Sequence, residues 1–134
     1  AAGKILDQLL AHAGIARKDV YITNIVKDRP PMNRDPLPEE IKIYGPFLDR
    51  QLAIIQPKAI ATLGRYSMAY IMTMLGLAEK LKPISVLHGK VFEAEAGYGK
   101  TNIIPLYHPA VAIYNIHEKE NLKKDFEALK KFVR

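Results

Sequence analysis

Residues 20–34 read VYITNIVKDRPPMNR, and the fold is decided by how the first half of that stretch gives way to the second. Val20-Tyr21-Ile22-Thr23-Asn24-Ile25-Val26 is an apolar run rich in β-branched residues, the pattern of a strand buried on both faces. Lys27-Asp28-Arg29-Pro30-Pro31-Met32-Asn33-Arg34 follows at once. Neither proline has an N–H for a ladder, so the sheet must end there. A stiff cationic loop then leaves the sheet, with Asn24 just inside its root. Ligands of open α/β sheets collect at the carboxyl ends of the strands, which makes this corner the first candidate site.

The surrounding chain fits one domain. Its 134 residues are enough for a real core, and 49% hydrophobic with 25% charged residues is ordinary for a globular protein. No apolar run approaches the roughly 20 residues that span a bilayer, and the opening residues lack a signal-peptide pattern. With no cysteine there is neither a disulfide framework nor a thiolate-held metal, so a cytoplasmic location is the expectation. The formal charge of +6 suits a nucleic-acid partner, and equally a merely basic soluble protein.

Working outward, Ile5, Leu6, Leu9, Leu10 and Ala13 stand at helical spacing, with Gly14 as the helix stop. After the proline loop, Pro38 sits where a first-turn proline belongs, with Glu39 and Glu40 at the positive helix end. Ile41, Tyr44, Leu48, Leu52 and Ile55 mark one face of a helix that Gly45-Pro46 should bend. Ala59–Gly64 reads as a short strand, and Arg65–Met74 as another helix. Alternating strands and helices imply parallel strands with right-handed crossovers. The pattern changes over 84–99, where Gly89-Lys90 suggests one hairpin and Gly97-Tyr98-Gly99-Lys100 a further turn. Thr101–Tyr107 is a strand in which Pro105 is tolerable only at an edge or near the end. Residues 118–133 close the chain as an amphipathic helix with Leu122, Phe126 and Leu129 inward.

Several features bear on chemistry. Gly99-Lys100-Thr101 resembles the end of a phosphate loop, but Ala94 stands where the first glycine is needed, and the segment reads as a turn. None of the four histidines pairs with another at metal-ligand spacing. His12 and His117 read as surface helix residues. His108 ends a strand, and Pro109 holds its backbone extended, which makes it a candidate for polarising a substrate oxygen. The amide of Asn24, within an apolar strand, either bonds neighbouring backbone or reads a planar ligand that offers one donor and one acceptor. Lys27, Arg29 and Arg34, with Arg65, gather at strand ends and favour contact with phosphates. Residues 109–115, PAVAIYN, are apolar for a loop; they read either as a helix start tucked into the core or as a wedge entering a base stack.

Taken together, AAGKILDQLL, VYITNIVKDRPPMNR, PFLDRQLAIIQPKAIATLGR, HGKVFE and LYHPAVAIYN, in that order, resemble the uracil-DNA glycosylases, within them the type called family 4. The resemblance implies an α/β fold: a three-layer α/β/α sandwich around a short central parallel sheet. It implies a base-excision repair enzyme that flips uracil out of DNA and hydrolyses its N-glycosidic bond. Asn24 matches the family's uracil-reading asparagine. His108 matches the histidine that bonds uracil O2, where negative charge develops as the bond breaks. Pro109 and Val111, Ile113 and Tyr114 match the DNA-inserting segment, although the family often has an arginine where Tyr114 stands.

Two departures qualify the match. Family 4 carries an iron–sulfur cluster on four cysteines, and Asp28 and Tyr44 occupy two of those positions, so no cluster and no metal are expected. Packing, for instance of Tyr44 on Pro30 or Pro31, should replace it. The family's first strand, its glycine-rich GEAPG-type motif and its uracil-stacking aromatic all precede the helix that opens this chain. The single glycosylase-like domain over residues 1–134 is therefore expected to be incomplete at its N-terminus, and the activity of these residues alone is left open. The alternative is a non-catalytic nucleic-acid-binding or interaction domain that keeps the fold. Uracil-containing DNA is the expected partner, with no membrane; oligomeric state and base preference are not fixed by the sequence.

Overall fold

The computed structural model describes residues 2–22 and 38–132. Helix α1 (Ala2–His12) buries Leu9 and Leu10 on one side, as their spacing requires. Gly14, at φ +74°, ends it: the Ile15 N–H bonds the Leu10 carbonyl at 2.9 Å, a left-handed cap that suits glycine. Helix α2 (Pro38–Ile55) begins on its proline and runs through Pro46 as a single element. Strand β1 (Ala59–Leu63) and helix α3 (Arg65–Met74) follow, then the short helix α4 (Ile84–Leu87). A hairpin of β2 (Phe92–Ala96) and β3 (Gly99–Leu106) leads to the four-residue helix α5 (Val111–Tyr114) and the closing helix α6 (Glu118–Leu129).

The strands form one sheet in the order β1-β3-β2. β1 lies parallel to β3, from Ala59 opposite Asn102 to Leu63 opposite Leu106. β2 is antiparallel to β3, from Phe92 opposite Ile103 to Ala96 opposite Gly99. Alternation along β3 splits the core in two. Ile103 faces Leu48, Leu52, Met68, Tyr70 and Leu87 from α2, α3 and α4. Ile104 and Leu106 face Leu9, Leu10, Leu122 and Phe126 from α1 and α6. Helices therefore cover both faces, the three layers the resemblance implies.

The strands depart from the sequence reading in three places. The sheet is mixed, with one parallel and one antiparallel pair among the described residues. Of the expected strand over 20–26, Val20 closes the turn Arg17–Asp19, and Tyr21 and Ile22 are exposed and outside any strand; residues 23–26 lie outside the described residues. The hairpin turn is Gly97-Tyr98, whereas Gly89-Lys90 follows a helical turn, and four helical residues are too few to show a period. Gly99-Lys100-Thr101 starts β3 and Thr101 donates its hydroxyl to the Pro57 carbonyl at 3.0 Å, so this motif is structural.

Pro105 sits buried in the central strand, opposite Thr62 and one residue before β3 ends, near the strand end as the sequence reading requires. What lets it sit there is which way its nitrogen faces. Backbone groups of one residue point to one side of a strand, and the Pro105 carbonyl accepts the Gly89 N–H at 2.8 Å on the side of β2. There β2 has already ended opposite Ile103, so no ladder bond is lost. No helix among the described residues is long and apolar enough to cross a membrane.

Candidate active site

The site is built at the carboxyl ends of β1 and β3. Gly64 directly follows β1, at φ +93°, and donates its N–H to the Leu106 carbonyl at 2.8 Å. A Cβ on Gly64 would stand 3.3 Å from His108 Cβ, so glycine lets the β1–α3 turn close onto the histidine. His108, half-buried, leaves β3 two residues after Leu106. Its Nδ1 accepts the Ala110 N–H at 3.1 Å. A ring nitrogen that accepts from an amide carries no proton. The ring proton of the neutral imidazole then resides on Nε2, which becomes a donor.

Of the other residues singled out from the sequence, Arg65 opens α3 beside Gly64 on the exposed surface. Pro109 is buried, Val111 packs on the α1/α6 core and Ile113 is 50% exposed, so the 109–114 segment both tucks in and presents an apolar side chain outward. Tyr114 ends α5. Asn24, Lys27, Asp28, Arg29 and Arg34 lie outside the described residues, as does the expected packing of Tyr44 on the prolines. His12 sits at the surface and meets Glu127 at 2.8 Å; His117 is exposed.

Tyr107, the residue before His108, belongs to a polar cluster that the sequence reading missed. His88 Nδ1 donates to Asp125 Oδ2 at 2.6 Å, and the His88 ring lies 4.6 Å from that of Tyr107 at a 34° tilt. Burial pushes the Asp125 carboxyl above its usual range, more than the hydrogen bond and charge of His88 pull it down; Glu118 adds to the rise. Burial likewise raises the Tyr107 phenol, with Glu118 and Asp125 adding to it. One signal for this cluster was present. Asp125 falls between Leu122 and Phe126 on the inward stripe of α6, and a carboxylate there needs a partner.

An iron–sulfur cluster does not fit the residues present. The 134 residues hold no cysteine, and cluster iron is held by thiolates. Among the described residues no group of three His, Cys, Asp or Glu side chains converges.

Comparison with known proteins places the chain in a family. A model of the uracil DNA glycosylase superfamily matches residues 1–132, and the chain belongs to that superfamily. Within it the similarity is to type-4 uracil-DNA glycosylases. The chain is 43% identical over 129 residues to the one from Archaeoglobus fulgidus, covering 96% of this chain and 64% of that protein. It is 43% identical over 131 residues to the one from Sulfurisphaera tokodaii, covering 97% of this chain and 59% of that protein. A DNA polymerase of Bacillus phage SP01 is 32% identical over 129 residues, which are 96% of this chain and 13% of the polymerase. The chain thus spans less than two thirds of the length of the first two relatives.

Proposed function

We propose that the protein to which these residues belong is a DNA repair glycosylase that hydrolyses the N-glycosidic bond of uracil after flipping the nucleotide from the helix. The observation that carries this is the hydrogen bond from the Ala110 N–H to His108 Nδ1, in a chain of this superfamily. It assigns the proton to Nε2 and makes a neutral ring the donor at the strand end. As the bond between C1′ and the base nitrogen stretches, charge gathers on the leaving pyrimidine. A fixed donor at O2 stabilises that charge more than it stabilises the neutral base, and needs no reorganisation when the bond breaks. Water completes the hydrolysis at C1′ and leaves an abasic site and free uracil.

In this reading Asn24 offers one donor and one acceptor to the far edge of the base, the pair that a carboxylate lacks. Lys27, Arg29, Arg34 and Arg65 hold phosphates, while Pro109, Val111, Ile113 and Tyr114 fill the gap the flipped nucleotide leaves. No iron–sulfur cluster takes part in folding this region, because Asp28 and Tyr44 stand where thiolates are needed.

The test is uracil release from a uracil-containing oligonucleotide by the full-length protein, read as alkali-labile abasic sites. His108→Ala should slow release by about 10²–10³-fold, the usual effect of losing one such donor, and Asn24→Ala should also abolish most of it. Salt-dependent DNA binding without any uracil release would instead establish a binding module.

A further inference from the structure

We propose that the His88–Asp125 pair, acting through Tyr107, positions His108 for the reaction; this rests on the glycosylase reading above. Two ties reach the end of β3 and the residue after it from the side where β2 has ended, and a third holds one of them in place. The Gly89 N–H bonds the Pro105 carbonyl at 2.8 Å, the His88 ring lies on the Tyr107 ring at 4.6 Å, and Asp125 fixes His88 at 2.6 Å. Asp125 Oδ1 also lies so close over Gly89 that a Cβ there would collide with it. His88 follows α4 as its cap, and α4 packs on the α2/α3 face, whereas Asp125 belongs to α6 on the opposite face. The pair therefore joins the two helical layers around the end of the central strand. One peptide bond further on is His108, held from the other side by Gly64.

The choice of residues argues for orientation over cohesion. Well-packed apolar side chains in place of both His88 and Asp125 would serve folding about as well, so the presence of a hydrogen-bonded polar pair here argues for orientation. A planar ring whose Nδ1 is tied to a carboxylate sets the tilt of Tyr107, and with it the direction in which the backbone presents His108. Misplacing a reacting group by about 1 Å costs as much as 10²-fold in rate.

The experiment measures single-turnover uracil release by the intact protein, at a temperature where every variant is folded by circular dichroism. Binding is measured separately on the same oligonucleotide carrying 2′-fluoro-deoxyuridine, whose glycosidic bond resists cleavage. His88→Ala and Tyr107→Leu should slow release by about 10- to 100-fold, and Asp125→Asn by about tenfold, with binding changed less than about twofold. Tyr107→Phe keeps the ring and should keep the rate. Nitrogen-15 spectra of the His108 ring should show one tautomer in wild type and a mixture in His88→Ala. Unchanged release in His88→Ala and Asp125→Asn, or a fall that merely follows lost binding, overturns the proposal. Should His88→Ala not fold, Asp125→Asn, nearly the same shape, decides alone. Wild-type protein that releases no uracil defeats the glycosylase reading, and the His108 tautomer then decides the positioning role by itself.

Discussion

Gly64 and Gly89 flank the same strand from opposite sides, and each brings an N–H to a β3 carbonyl at 2.8 Å. Their φ angles, +93° and +79°, are both in the region that favours glycine. What each makes room for differs. At Gly64 the vacant Cβ position is filled by His108 itself, so the turn after β1 shapes the site directly. At Gly89 it is filled by the Asp125 carboxylate, a group that reaches the site only through His88 and Tyr107. A strand end can thus be steadied by steric fit on one flank and by a hydrogen-bonded polar pair on the other.

The comparison can be broken most sharply at Gly64. Gly64→Ala forces an alanine into a left-handed conformation, at a cost on the order of 1–3 kcal/mol, and presses on His108. Uracil release should fall about 10²-fold, measurable under single-turnover conditions. Gly89→Ala should cost a similar ~1–3 kcal/mol, seen as a lower denaturation midpoint, because Asp125 must move and its bond to His88 must break. Release should fall only about tenfold, since the effect arrives second-hand.

Asp125→Asn isolates the charge. Burial raises the folded carboxyl above its ordinary value of 3.8, so the unfolded chain ionises first as pH rises. The contribution of this carboxyl to stability is therefore fully present below 3.8 and falls as pH climbs through the raised value. In urea titrations, the stability difference between wild type and Asp125→Asn should move against wild type on going upward from 3.8. A flat difference would show that the carboxyl is not buried in the way described. Smallest of all is the His12–Glu127 contact at 2.8 Å, which joins α1 to α6 at the exposed surface. Glu127→Gln should change stability by about 0–1 kcal/mol and leave uracil release as it was.

Much of this was legible in the chain itself where local rules act alone. Gly14, Pro38 and the Leu122–Phe126 spacing announced helix ends and faces, because caps and 3.6-residue periods need no distant partner. His108 stood out because a proline follows it at the end of a strand. Gly89-Lys90 reads as a hairpin turn from sequence because the single helical turn before it has no period to detect. Pro105 is legible as a residue near a strand end, because a proline has no N–H to carry a ladder on, whereas the partner of its carbonyl, Gly89, comes from outside any strand and is not legible. His88 and Asp125 are 37 residues apart, and nothing local to either names the other.

Pro105 has one more consequence. With no hydrogen to offer toward the hairpin, it acts as a zipper stop: β2 cannot pair one step further without leaving a carbonyl opposite a blank. Slippage of the hairpin by one residue would turn Phe92 and Ala94 toward the wrong layer, and the stop discourages that error during folding. A proline often regarded as a strand breaker here keeps its neighbour in step.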